Sequence, residues 1–238
     1  MSNGVVWHAV LAAAGWDKFT ETFFNAKVMV KYLPDILWGT LVTVELAVLI
    51  VIAGIGSGLV LALIRALGVR PLNWLLIFIV DLLRSLPPLV IIVLFYFGGP
   101  PAGWTPSGFL ATWLSLTLVL MAFSEEIFWA GITSIHKGQW EAARSTGLGF
   151  VQTLINVVLP QALRLTVAPL TNRTIAITKG TALGTVVALH EILGMASSAM
   201  SNSYNPSPLM MGAAAYLVLF IPVVIVARRI ETKFAWKR

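Results

Sequence analysis

Residues 41–64 read LVTVELAVLIVIAGIGSGLVLALI, an apolar run broken by one charge, Glu45. It exceeds the roughly 20 residues that a helix needs to cross about 30 Å of hydrocarbon. Comparable runs recur at residues 72–97, 109–123, 165–189 and 209–227, the fourth interrupted by Arg173 and Lys179. The whole chain agrees: 58% of its 238 residues are hydrophobic, 11% are charged, and the mean hydropathy is +0.88. An average soluble domain carries about 25% charged residues. Backbone amides in lipid must bond within their own segment, and these runs are too long and uniform for barrel strands, so the spans are helical. The reading is an all-α integral membrane protein with about five transmembrane helices. One membrane domain occupies residues 35–230, preceded by an amphipathic segment, 1–34, and followed by a basic tail, 231–238.

The N-terminus opens without a positive start or an early continuous apolar run, so a retained end is expected and not a cleaved signal peptide. Residues 5–24 mix Trp7, Trp16, Phe19, Phe23 and Phe24 with Asp17, Lys18 and Glu21, the pattern of an interfacial helix. Cysteine is absent, which removes disulfides, thiolate nucleophiles and soft metal sites together.

Charge then sorts the loops. All sixteen Lys and Arg residues avoid residues 85–136 and 180–227, each of which contains a loop between two spans. Those loops, around 98–106 and 197–208, face outward by the excess of positive charge on inner loops. Arg65 and Arg70, then Lys137, Arg144 and Arg164, and finally Arg228, Arg229, Lys233, Lys237 and Arg238 mark the cytoplasmic side. An odd number of spans puts the N-terminus outside and the C-terminus inside; Lys18, Lys27 and Lys31 run against this, among Asp17, Glu21 and Asp35. The net charge of +6 thus reads as orientation and contact with membrane lipid, and no nucleic-acid partner is expected.

Between the third and fourth runs lies a polar island, Gly138-Gln139-Trp140-Glu141-Ala142-Ala143-Arg144-Ser145-Thr146-Gly147, followed by Leu159-Pro160. Ala142 and Ala143 favour a helix and leave a smooth face for close packing. Glu141 is read as lying near the helix start, where the dipole favours an acid. Gly147 lets the chain leave through a left-handed conformation, and Leu159-Pro160 restrict its direction of re-entry. A helix of soluble character in so apolar a chain calls for a soluble partner. The chain has no Gly-Lys pair from which a phosphate loop could be built, so energy from ATP would have to come from another subunit. His190-Glu191 is not followed by the second histidine of a zinc hydrolase, and His8, His136 and His190 lie far apart. No catalytic residue, cofactor or metal site is expected.

Glu141-Ala142-Ala143, Gly147, Val157 and Leu159-Pro160 resemble the EAA signature of the membrane subunits of bacterial ABC importers, with Val157 where isoleucine is usual. Arg84-Ser85-Leu86-Pro87-Pro88-Leu89, Glu126-Ile127, Gly131-Ile132, Ser134-Ile135, Lys137-Gly138-Gln139 and Pro160-Gln161-Ala162 are similar to the polar amino acid permeases of the histidine, glutamine and arginine type. Lys179-Gly180-Thr181-Ala182-Leu183 resembles a Lys-Asp-Thr-Ser-Leu block of that family and departs from it at Gly180 and Ala182. Together these cover about residues 35–230. The resemblance implies a type I ABC importer permease fold in the bacterial inner membrane, with residues 136–162 as the coupling loop. It implies that Gln139, Glu141, Ala142, Ala143, Gly147, Leu159 and Pro160 meet an ABC ATPase dimer that binds ATP and Mg. A second permease subunit, an extracytoplasmic solute-binding protein and an amino acid substrate complete the expected set of partners.

Charges inside apolar spans usually face a bundle interior or a watery path. Asp81 and Arg84, three apart, can pair on one helical face, or Arg84 can anchor a span end. Glu45 reads as a rim or helix-contact residue near the start of the first span. Glu126 and Lys179, with Arg84, are the candidates for the substrate pathway, because opposite signs suit the two ends of an amino acid zwitterion. An ion-coupled carrier or channel using Glu45, Glu126 and Lys179 as a relay is the alternative, and it leaves the polar island unexplained.

Overall fold

The computed structural model describes residues 15–234. The expected amphipathic segment therefore falls in part outside the described residues, as do Lys237 and Arg238 of the tail. Its described portion holds a short helix, α1 (residues 15–23), on which Trp16 stacks against Phe19 at 5.5 Å, and then the beginning of the next helix, which runs unbroken past residue 35.

Asn25 then starts α2 (Ala26–Ala66), its side-chain oxygen accepting from the amides of Lys27 and Val28. With 41 residues, α2 is about 61 Å long, twice the hydrocarbon thickness. The second apolar run is not one helix. It divides into α3 (Arg70–Ser85) and α4 (Pro88–Gly98), whose axes differ by 99°. Pro87 and Pro88 remove two successive backbone donors, and Leu86, forced extended before proline, cannot continue the helix. After a 3₁₀ turn at Pro100–Ala102 and left-handed Gly103, Ser107 caps α5 (Gly108–Ser134).

The expected polar helix follows as α6 (Lys137–Ser145), then α7 (Phe150–Thr153), a π-helical turn (Leu154–Val158) and α8 (Leu159–Lys179). The fourth run, expected as a helix to residue 189, changes at Gly180 into a 3₁₀ segment, Gly180–Val187, closed by left-handed Ala188. The loop expected at residues 197–208 is corrected more substantially. Ile192–Ser203 forms a helix, α9, and the turn shrinks to Tyr204, Asn205 and Pro206 before α10 (Ser207–Phe234). The polar residues that suggested a loop bond the carbonyls of their own helix instead, Ser201 to Ser197 and Ser203 to Ala199.

By length and apolar character, four stretches among the described residues suffice to cross a membrane, and the bent α3–α4 pair supplies a fifth. α5 is the axis: it packs on α2, α3, α4, α8 and the 3₁₀ segment. The central core joins Leu46 and Ile50 of α2 to Ile92 of α4 and Leu116 and Leu120 of α5. A second core, toward α6, joins Ala62, Phe128, Ile132, Leu154, Val158 and Ala162. Close approach of α2 to α5 depends on Gly58, where a Cβ would lie 2.5 Å from that of Ser124 and 2.8 Å from the Met121 carbonyl oxygen.

Candidate functional site

Two places gather the residues singled out by sequence. The first is α6 and its supports. His136 caps the helix, its Nδ1 accepting from the Gly138 amide at 3.1 Å. The helix thus begins at Lys137, and Glu141, its fifth residue, lies beyond the first turn; the expected dipole stabilisation does not apply. Gly147 leaves the helix at φ +91°, the left-handed exit anticipated for it. Of the Glu-Ala-Ala triplet, only Ala143 is buried, 8% exposed, at the point where α6 packs on the π-helical turn. Gln139, Glu141 and Ala142 are exposed. Trp140 stacks on Phe150 at 5.4 Å, and Gln161 donates to the Val157 carbonyl at 2.7 Å and to Gln139 at 3.4 Å. Leu159 and Pro160 open α8 directly after the π-helical turn, where the Leu159 amide bonds the Leu154 carbonyl. The result is a short helix held from one side, with its polar face exposed.

The second place is a groove of about 430 Å³ between the end of α3, α5 and α8. Arg84 pairs with Glu126 and, at 3.5 Å, with Asp81, so the pairing along α3 extends to α5. Arg173, read from sequence only as an interruption, lies with its guanidinium 3.5 Å from the centre of the Phe123 ring. Arg84 Nε is buried without an acceptor among the described residues. The groove thus holds two guanidinium groups near Glu126, with Asn172 and the Phe123 ring on its wall.

Lys179 does not meet Glu126. It lines a different groove of about 560 Å³ with Tyr216 and Phe220, its Nζ 5.7 Å from the Phe220 ring centre. Asn172, Ala176 and Lys179 nevertheless follow one another at helical spacing on a single stripe of α8, so the two grooves adjoin along that face. Glu45 is exposed on α2, which begins at Ala26, well before the apolar run that starts at residue 41.

Two buried acids were not singled out by sequence. Glu125 is fully buried and pairs with Arg65 at 3.1 Å. Glu191, also fully buried, accepts from the amides of Leu193 and Gly194, from Thr185 at 2.7 Å and from Tyr216 at 2.5 Å. It caps α9 while tying the 3₁₀ segment to α10. An acid directly before an apolar helix is the available sign for the second; the tandem Glu125-Glu126 offers none for choosing between its members.

These features define a helical membrane protein that turns a short polar helix outward from its bundle and keeps a charged groove within it. The model of the family described as "Binding-protein-dependent transport system inner membrane component" matches residues 54–236, and the chain belongs to that family. It is a membrane-spanning permease component. It is 36% identical over 187 residues to the probable glutamine ABC transporter permease protein GlnM of Bacillus subtilis, covering 77% of this chain and 87% of that protein. It is 32% identical to the arginine transport system permease protein ArtQ of the same organism, covering 84% and 93%. The fold is similar to that in a crystal structure of an amino acid ABC transporter with histidines, at TM-score 0.79 and 29% identity over 86% of this chain and 96% of that one. The inward-facing MetNI methionine ABC transporter shares the fold at TM-score 0.68 and 19% identity, covering 89% of this chain and 99% of that one.

Proposed function

We propose that this chain is half of the translocation pathway of an ATP-driven importer of polar amino acids, and that it takes its driving force through α6 from a separate ATPase. The observation that carries this is the exposed face of α6, bearing Gln139, Glu141 and Ala142 on a helix braced from behind by Ala143, Trp140 and Gln161. A capped helix that turns an exposed polar face away from an apolar bundle supports a docking role. ATP and Mg belong to the partner ATPase dimer; this chain is non-catalytic and carries the force through Gly147, Leu159 and Pro160 into α8. The α6 end faces the cytoplasm, the N-terminus lies outside, and the opposite end receives substrate from an extracytoplasmic binding protein. A second permease subunit, identical or homologous, completes the pathway.

The groove supports an amino acid as cargo. Arg173 and the unpartnered Nε of Arg84 suit a carboxylate, Glu126 suits an ammonium group, and Lys179 continues the path along α8.

Copurification tests the docking role. The complex isolated through this chain contains an ATPase subunit, and Glu141→Lys lowers ATP-driven uptake by about tenfold or more, since misplaced charge at a contact costs several kcal/mol. Full uptake by that variant refutes docking through α6.

A further inference from the structure

The ion pair between Arg65 and Glu125 is the most enclosed of those among the described residues: Glu125 is fully buried and Arg65 is 16% exposed. Its position is more informative than its burial. Arg65 Nη1 reaches both carboxylate oxygens, at 3.1 and 3.2 Å, which locks the last turn of α2 to α5. The Arg65 carbonyl accepts from Asn73 at 3.0 Å, which adds α3. The guanidinium lies 4.6 Å from the centre of the Trp129 ring, one helical turn beyond Glu125. Trp129 in turn lines a groove with Ala66, Lys137, Trp140 and Phe150, the last two being the stacked rings that seat α6. Trp129 thus faces α6 across this groove, and Trp140 of α6 packs against the core that holds Ala62 of α2, one turn before Arg65, with Phe128 and Ile132 of α5.

A buried pair resists being loosened part-way, because separating its members leaves uncompensated charge in a medium of low dielectric constant. Such a pair moves as a unit with the elements it joins. We propose that Arg65 and Glu125 are positioning residues for transport, converting displacement of α6 into movement of α2, α3 and α5. The proposal rests on the reading of α6 as the ATPase contact. A pair that merely braced the fold would lower stability and leave the transport yield of each assembled complex alone.

The test uses the complete importer in proteoliposomes, and reads amino acid taken up per ATP hydrolysed together with stimulation of hydrolysis by the loaded binding protein. Glu125→Gln and Arg65→Lys complexes assemble and hydrolyse ATP, while uptake per ATP falls about tenfold, equivalent to about 1.4 kcal/mol of lost coupling. Uptake per ATP and stimulation within about twofold of the parent in either assembled variant overturn the proposal. Should neither variant assemble, Trp129→Leu decides: it keeps the ion pair and removes its link to the groove under α6. Lowered uptake per ATP then supports the link, and an unchanged value overturns it. A parent complex that lacks an ATPase refutes the docking reading itself, whatever the variants do.

Discussion

At the scale of single residues, the charged groove is where chemistry was only partly legible. Arg84 and Glu126 stood out because charges in apolar runs are costly, and the structure joins them; Lys179 stood out for the same reason and lies in the adjoining groove. Arg173 has the better position beside Glu126, on the face of Phe123. If it holds the substrate carboxylate, Arg173→Gln removes a charge-assisted hydrogen bond worth about 1.5–3 kcal/mol and weakens apparent affinity roughly 10- to 100-fold. Direct binding of amino acid to the solubilised permease complex, without the binding protein, measures this. Affinity equal to the parent's assigns Arg173 to packing on Phe123 alone, and Lys179→Ala in the same assay shows whether the path continues along α8. Glu125 and Glu126 mark the limit of sequence reading at this scale. Neighbours on a helix point about 100° apart, so one faces Arg65 in the core and the other Arg84 in the groove, and only the packed bundle distinguishes them.

At the scale of elements, apolar length located the spans and breaker residues located most of their ends, while contacts distant in sequence decided the rest. The α3–α4 bend needs both Pro87-Pro88 and the packing of each half on α5, and α9 forms because Glu191 and its own serines satisfy groups that would otherwise favour a loop. Gly58 shows the same dependence in a form that can be measured. Alanine normally stabilises a helix interior over glycine by roughly 0.5–1 kcal/mol, and Gly56→Ala, where the added Cβ meets nothing within 4 Å, gains that amount. Gly58→Ala reverses the sign. Its Cβ meets Ser124 and the α5 backbone, so α2 must move away, at a cost of about 1–3 kcal/mol. Thermal unfolding of the two purified variants therefore moves in opposite directions. A Gly58→Ala protein as stable as the Gly56→Ala protein means that α2 and α5 do not approach this closely in the membrane.

At the scale of the whole molecule, the basic residues order the fold with respect to the bilayer. Arg65, Arg70, Lys137, Arg144 and Arg164 all fall at the α6 end, and the turns at the opposite end, around Gly103 and Tyr204, lie in stretches free of Lys and Arg. Positive charge is retained on the cytoplasmic side, so the proposed function puts α6 and its ATPase there and turns the stretches around Gly103 and Tyr204 toward the binding protein. The absence of cysteine makes the arrangement testable without background labelling. Tyr204 is 96% exposed and Ala142 is exposed on α6, so each accepts a cysteine at little structural cost. In intact cells stripped of their outer barrier, a membrane-impermeant maleimide labels Tyr204→Cys at once and reaches Ala142→Cys only after the membrane is permeabilised. The reverse pattern inverts the topology and removes α6 from the side where ATP is available. Protection of Ala142→Cys that persists after permeabilisation, and is lost when the ATPase is stripped away, locates the partner on this helix.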